Sequence, residues 1–348
     1  MAKILYGIMG DARGHMSRSL AVAQTLAHHE FLFVGGGVVR ELKQLGYLVE
    51  DLPMASTFFR DNRVDFPSTI ANAVRVLAGR SSTIARLAAI IRSFDPDLIV
   101  TDYELFTPLA AHKLGRQCIS LDHQHVLTHC VYDVPPQEKL NRFLTCFSVR
   151  HLYSAADRFL IISFFPLPPA DPSRTEVWPP VLRRAVKDHQ ASQGDHALVY
   201  LSVNTFETLL PVLQSIDRKF LVYGFGDRPA ASNLTFKPPS VDGFLEDMAS
   251  ARYVVTTGGH STISEALYFG KPVLCYPIES AYEQFLNAHF LSKWGFGEHA
   301  SGIRTTRSVL EHFEVRLGEY ASRIQGHDFF GNHRVAGRLE EIMGRGGK

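Results

Sequence analysis

Two doubly wound α/β domains, each a parallel sheet with helices on both faces, are the architecture this sequence predicts. Apolar runs too continuous to be half-solvated strands recur between helical stretches, as strands buried on both faces do. That rhythm stops in a proline-rich stretch and then restarts. The first run, residues 4–8, leads into a glycine-rich turn and a helix over 15–27. Residues 31–34 form the next strand, ended by Gly35, Gly36 and Gly37, and a short helix and a strand at 47–50 follow. Runs at 97–101, 117–121 and 158–162 complete the first sheet. Pro166, Pro168, Pro169, Pro172, Pro179 and Pro180 then break the pattern. Strands at 197–201, 220–223, 253–256 and 273–276 build the second sheet. The expected organisation is a first domain over 1–165, a linker over 166–190, a second domain over 191–325 and a final helical segment over 326–348. Two such halves imply a cleft, with ligands at the carboxyl ends of the strands that face it.

Composition narrows the function classes. The chain has 348 residues, 45% hydrophobic and 20% charged, which is ordinary for a globular protein and excludes disordered or fibrous readings. Its formal net charge is +1, so no global field draws in nucleic acid, and no nucleic-acid partner is expected. Four cysteines, Cys118, Cys130, Cys146 and Cys275, lack the Cys-x-x-Cys spacing of a zinc site and read as buried thiols of a reducing compartment. The N-terminus lacks the apolar stretch of a signal peptide, and no run of about 18 apolar residues spans a bilayer. The expected location is cytoplasmic, with membrane association left open.

Residues 256–267, Thr-Thr-Gly-Gly-His-Ser-Thr-Ile-Ser-Glu-Ala-Leu, follow an apolar strand and continue with helical spacing. Gly258 and Gly259 permit a tight turn and close approach of a ligand to the backbone. The helix start then offers N–H groups and the positive end of its dipole to a diphosphate, while Glu265, one turn on, can accept from ribose hydroxyls. The plainer alternative is a glycine turn with a serine or threonine cap. Gly270-Lys271-Pro272, a strand, Pro277, Glu283-Gln284 and Asn287-Ala288 come next.

With those residues in view, the stretch 241–288 resembles the donor-binding half of GT-B glycosyltransferases. It is similar both to the peptidoglycan N-acetylglucosaminyltransferase group and to the UDP-glucuronosyltransferase-like group. The resemblance implies two Rossmann-like domains, acceptor-binding then donor-binding, and a last helix that returns to the first. It implies that Phe244 and Leu245 pack on and hydrogen-bond the nucleotide base. Gly259, His260, Ser261 and Thr262 would surround the diphosphate, Glu265 would hold the ribose, and Glu283 and Gln284 would touch sugar hydroxyls. The plant members carry a histidine where this chain has Thr257, so a histidine contact to the diphosphate falls to His260. In these relatives the donor is a nucleotide-diphosphate sugar, here expected to be UDP-linked, and the transfer is inverting, without metal or other cofactor.

Gly7-Ile-Met-Gly10-Asp-Ala-Arg-Gly14-His15 resembles the acceptor-side glycine loop of the same superfamily, with Gly10 and Gly14 on the acceptor side and His15 as general base. The chemistry suits the assignment, because a hydroxyl that attacks C1 must lose its proton and imidazole takes protons near neutrality. Asp102, past the strand at 97–101, falls where the relatives' Pro-Asp-x-x-x-x-Asp strand supplies the carboxylate that orients the histidine. A capping aspartate is the plainer reading. His125, in Asp122-His123-Gln124-His125, is the alternative base or an acceptor contact. His123, His125 and His129 lack the partner set of a metal site. Asp95-Pro96-Asp97 matches the metal-binding Asp-x-Asp of other glycosyltransferases but enters a buried strand and reads as a decoy. Ser202-Val203-Asn204-Thr205 is a further candidate for phosphate contact.

Residues 67–94 carry Arg75, Arg80, Arg86 and Arg92 and no acidic residue, interleaved with Val74, Leu77, Ile84, Leu87, Ile90 and Ile91. Such a segment grips an anionic or lipid-linked acceptor, touches an anionic membrane, or is a solvated helix face. The rival functions are a nucleotide-sugar 2-epimerase of the same architecture and a non-catalytic nucleotide-sugar-binding subunit.

Overall fold

The alternating runs form two parallel sheets. The computed structural model describes residues 1–60, 63–135, 138–201, 207–300 and 306–346, so the 202–205 loop lies outside the described residues. The elements follow in chain order as β1 (Lys3–Ile8), α1 (Arg13–Thr25), β2 (Glu30–Gly35), β3 (Leu48–Asp51), β4 (Phe59–Arg60), β5 (Arg63–Val64), α2 (Phe66–Ala78) and α3 (Arg80–Phe94). Next come β6 (Leu98–Asp102), α4 (Phe106–Lys113), β7 (Ile119–Asp122), α5 (Val126–His129), α6 (Lys139–Ser148), β8 (Arg158–Ile162) and β9 (Thr175–Trp178). The chain continues through β10 (His196–Tyr200), α7 (Leu210–Gln214), β11 (Lys219–Tyr223), β12 (Leu234–Phe236), α8 (Val241–Ser250), β13 (Val254–Thr256) and α9 (His260–Tyr268). It closes with β14 (Val273–Cys275), α10 (Tyr282–Lys293), β15 (Gly297–His299), α11 (Arg307–Val315), α12 (Leu317–Ile324) and α13 (Asn332–Gly346).

The first sheet has the order β3-β2-β1-β6-β7-β8-β9 and the second β12-β11-β10-β13-β14-β15. In each, strand order reverses once: between β1 and β6, and between β10 and β13. Such switch points open a crevice at the carboxyl ends of the strands. Side-chain alternation explains why the strands are apolar throughout. Ile4 and Tyr6 join the core beneath α1, while Leu5 and Ile99 join the opposite core with Leu87, Ile91 and Phe106. The second sheet buries Ala197, Val199, Phe220 and Val255 against Leu310 and Phe313.

The chain divides into two compact units, one of residues 1–58, 65–183 and 330–348, the other of 59–64 and 184–329. The expected linker is thereby corrected. Within 166–190, Thr175–Trp178 is the edge strand β9, paired in parallel with β8 from Phe159↔Thr175 to Ile162↔Trp178. Prolines are tolerated beside an edge strand because its outer N–H groups need no ladder partner. A strand flanked by prolines therefore looks like a linker in the sequence. The expected basic helix over 67–94 is two helices, broken at Gly79, of which only α3 sinks a full stripe (Thr83, Leu87, Ala88, Ile91).

The last helix returns to the first unit as expected. Val335, Ala336 and Leu339 enter the core that holds Ala21, Val22 and Leu26 of α1. Asn332 clips its start to the chain before the crossing, donating to Leu182 O (2.7 Å) and accepting from Leu182 N–H (3.0 Å). Arg338 forks onto Glu176 of the edge strand through Nε and Nη2. Among the described residues, no helix is long and apolar enough to cross a membrane.

Leu339 is fully enclosed. Leu339→Ala is expected to lower stability by about 2–5 kcal/mol, measured as a reduced urea midpoint at unchanged slope. A loss below about 0.5 kcal/mol, the range of an ordinary surface substitution, would show that α13 is not part of the core.

Candidate functional site

The first switch point carries a buried charge. Asp102 is the last residue of β6, registered against Ile8 of β1, and it is wholly enclosed. Four donor contacts from α1 converge on its carboxylate. Arg18 reaches Oδ2 through Nε (2.6 Å) and Oδ1 through Nη2 (2.5 Å), Ser19 Oγ donates to Oδ2 (3.2 Å), and His15 Nδ1 meets Oδ1 at 2.7 Å. Burial alone would raise this carboxyl's pKa, but the Arg18 guanidinium and His15 hold it below its ordinary value. Asp102 is therefore ionised, and Arg18 Nη2 also lies 2.8 Å from His15 Nδ1, so carboxylate, guanidinium and imidazole form one cluster that leaves Nε2 on the far side of the ring. Arg18 Nη2 also donates to Gln124 Oε1 (3.0 Å), which turns the Gln124 amide nitrogen to within 3.5 Å of that Nε2. An imidazole anchored to a carboxylate through one nitrogen can take a proton at the other.

The local sequence explains the convergence. His15, Arg18 and Ser19 lie at i, i+3 and i+4 of α1, one face of a helix. Gly10 has a packing reason, since a Cβ there would overlap the Gly36 carbonyl, and Val38 N–H donates to Gly10 O (3.1 Å). Gly14 lies in the first turn of α1, where its carbonyl accepts from Ser17 Oγ (3.1 Å). Tyr103, just past Asp102, has a left-handed backbone (φ 54°), which costs a non-glycine residue on the order of 1 kcal/mol. Its ring stacks on Tyr153 at 4.1 Å and lies 6.2 Å from the His15 ring. The sequence reading missed Arg18, Gln124 and Tyr103. Only the helical spacing of Arg18 from His15 was there to be read.

His125 stands in a second, drier dyad. Its Nδ1 bonds Asp122 Oδ2 (2.7 Å), and Ser120 Oγ donates to the same oxygen (2.5 Å). His125 is buried, and its Nε2 has no hydrogen-bond partner among the described residues. The ring is walled by Tyr103, His129 and Phe159. Burial and the neighbouring His125 push His129 down to about 4. His123 is tied by Nδ1 to Ile162 O (2.8 Å).

Among the described residues one trio has ligand atoms close enough for a metal, His28, His29 and Glu340, all within 4.8 Å. Ala2 N–H donates to His29 Nδ1 (3.0 Å), so in the neutral ring the proton sits on Nε2, the atom a metal would need. Asp97 accepts from Lys3 N–H (2.7 Å), and Asp95 ends α3 while pairing with Arg116 (3.2 Å), so both carboxylates of the Asp-x-Asp are already engaged.

The second switch point carries backbone donors. Gly258 must be glycine, because a Cβ would overlap the Gln284 backbone, and Asn287 Nδ2 donates to its carbonyl (2.9 Å). The first internal bond of α9 runs from Ile263 N–H to Gly259 O (3.2 Å), and Gly259 offers no side-chain cap. The N–H groups of His260, Ser261 and Thr262 precede that bond at the positive end of the helix. His260 differs from the expectation. Its imidazole is buried and turned along its own helix, with Nε2 3.4 Å from Ser264 Oγ. Ser261 and Thr262 are half-buried, and Glu265 is buried one turn further on. Glu283 lies in the first turn of α10, and Gln284 Oε1 accepts from Ile278 N–H (3.1 Å). Leu245 is wholly enclosed in α8, so its side chain meets no ligand. Phe244 is edge-on to Tyr200 and Tyr223, and Tyr223 donates to Asp247 (2.6 Å). Both tyrosines end their strands, and the sequence reading passed over them.

Comparison with known proteins bears on the family and the fold. A family model described as glycosyl transferase family 1 matches residues 2–318. A protein of Methanosarcina acetivorans, described as an uncharacterized glycosyltransferase, is 26% identical, with 92% of this chain and 91% of that one covered. Among solved structures, the glycotransferase of kitacinnamycin superposes with a TM-score of 0.71 at 17% identity, covering 98% of each chain. A UDP-glucosyltransferase from Polygonum tinctorium, capable of glucosylating indoxyl, gives 0.69 at 15% identity over 100% of this chain and 99% of its own. The two-domain α/β fold expected from the sequence is the fold of these glycosyltransferases.

Asp102→Asn leaves the Arg18 guanidinium buried without its counter-charge and is expected to cost about 3–5 kcal/mol at pH 7 in urea unfolding. The native carboxyl lies below the unfolded one, so its stabilisation is complete above about pH 3.9 and is lost as pH falls further. The gap between wild type and variant should therefore narrow below about pH 4. A gap that does not change with pH would contradict an ionised Asp102.

Proposed function

Because this chain belongs to glycosyl transferase family 1, we propose that it moves a sugar from a UDP-linked donor to a hydroxyl acceptor by one inverting displacement. The arrangement of Asp102, Arg18 and His15 at the first switch point carries the reading. As the acceptor oxygen attacks C1, its proton passes to His15 Nε2. The C1–O bond to the diphosphate breaks, the electron pair leaves with the diphosphate, and the configuration at C1 inverts. Asp102 stays ionised throughout and steadies the imidazolium from the Nδ1 side, as its short contact to that nitrogen favours. Arg18 keeps the carboxylate from swinging away.

In the second unit, the N–H groups that open α9 take the growing negative charge, with the Ser261 and Thr262 hydroxyls beside them. Glu265 receives the ribose hydroxyls, and Glu283 and Gln284 the sugar. Phe244 contributes to the base site with Tyr200 and Tyr223 near it, and the Leu245 contact falls to its backbone. We read the transfer as metal-independent, because a helix start can meet the diphosphate charge without an ion. His15 is favoured over His125 as the base because His125 is walled in by aromatic rings. The UDP preference follows the named activity of the Polygonum tinctorium enzyme. Four unbridged cysteines accord with a reducing, cytoplasmic setting.

A thermal-shift panel of UDP, dTDP, GDP and ADP with their sugars, in EDTA, tests the donor site. A ligand at about 100 times its dissociation constant adds about 2.7 kcal/mol, and a selective UDP shift that Glu265→Gln abolishes is expected. No shift from any nucleotide would overturn the donor reading. With a donor found, His15→Ala should lower kcat by about 10²–10⁴-fold and leave the donor shift intact. Unchanged turnover would remove His15 as the base.

A further inference from the structure

Helix α6 is built inside out. Leu140, Phe143, Leu144 and Phe147 fall at i, i+3, i+4 and i+7, the spacing that makes one apolar stripe. Such a stripe ordinarily faces a core. Here the four side chains are 68%, 64%, 43% and 55% exposed, and the helix has no buried residue. The polar side is the one that meets the protein. Arg142 lies over the Tyr132 ring (4.9 Å), and Cys146 Sγ–H donates to Leu127 O (3.3 Å). The orientation is therefore fixed by contacts on the opposite side.

The exposed charge beside the stripe is mainly positive, and Glu138, the residue before the helix, accepts from Asn141 Nδ2 (3.0 Å). Residues 139–156 contain Lys139, Arg142 and Arg150 and no aspartate or glutamate, in a chain whose net charge is only +1. Lys139 and Arg150 are exposed at the two ends of the helix. A second copy of this chain is the poorer occupant, since pairing two such helices brings Lys139 and Arg150 against like charges while Glu138 is already engaged by Asn141. A surface that is apolar within and anionic at its rim matches both features at once.

We propose that α6 is an interfacial helix that seats the first unit on an anionic lipid bilayer. Phe143 and Phe147 sink to the boundary between headgroups and acyl chains, and Lys139 and Arg150 meet the headgroup phosphates. The helix also adjoins the candidate site. Cys146 ties it to the turn that follows His125, and Tyr153, just beyond it, stacks on the residue next to Asp102. Seating α6 on a bilayer therefore places the first switch point beside the membrane surface. The proposal does not depend on the transfer reading and is tested without turnover.

The test is co-sedimentation of the full chain with phosphatidylcholine vesicles and with mixed phosphatidylglycerol–phosphatidylcholine vesicles. Binding to the mixed vesicles, weaker in salt and on pure phosphatidylcholine, is expected. Phe143→Ser with Phe147→Ser should weaken it by about tenfold or more. Lys139→Glu with Arg150→Glu, a variant that leaves the apolar stripe intact, should weaken it by at least about fivefold per charge. Both pairs change exposed side chains, so their thermal unfolding should match the parent. Absence of binding, or binding that neither pair alters, would overturn the proposal. So would a dimer in sedimentation velocity that the serine pair dissolves, which would assign the stripe to self-association.

Discussion

Asp102 ends a strand whose every residue is buried, and its carboxylate has no route to water, so the fold must bring compensating charge to it. Much of the first unit's layout follows from that requirement. Arg18 and Ser19 can reach Asp102 only when α1 presents its first two turns to the end of β6. That fixes where the helix starts and how sharply the chain turns after β1. The interlocked Gly10 and Gly36 loops make the sharp turn, and His15 arrives beside the carboxylate as a consequence of the same docking. Glu104, two residues on, shows what happens without a cation. It too is fully buried, yet burial raises its carboxyl, and its contacts are the N–H groups that start α4 and the Thr107 hydroxyl. Two carboxyls of one turn are thus shifted in opposite directions.

The two switch points use different physics on the same scaffold. In the first unit an ionic cluster positions the His15 imidazole, and its energy depends on desolvated charges lying within about 3 Å of one another. In the second, unspent N–H groups at a glycine-started helix offer partial positive charge without a side chain. The first arrangement depends on exact side-chain placement, the second only on where a helix begins.

How much of this could be read from the sequence depended on how local each feature is. Continuous apolar strands announced both sheets, and a histidine at the helix start after one strand and an aspartate at the end of another were legible because such junctions are local. β9 was not, because an edge strand needs few apolar residues and tolerates flanking prolines. Arg18 was hidden for a different reason. A lone arginine on an amphipathic helix usually points to solvent, and only the sheet order reveals a buried acid across from it. His260 misled because a helix start can be served by backbone while the side chain turns away. The stripe of α6 went unread, and its periodicity marks an apolar face but not which way it looks.

The clip between Asn332 and Leu182 has a consequence for biosynthesis. The first unit is sewn from both ends of the chain, with almost all of the second inserted between residues 183 and 330. Its core takes Val335 and Leu339, which are made only after the whole of the second unit. A ribosome therefore delivers every strand of the first sheet long before it delivers the helix that covers one face. The second unit is nearly contiguous and has all its strands before then. Domains usually mature in the order they are synthesised. Here the first unit cannot be completed until the second has been made, and until then its α1 face stays an open apolar surface in need of protection.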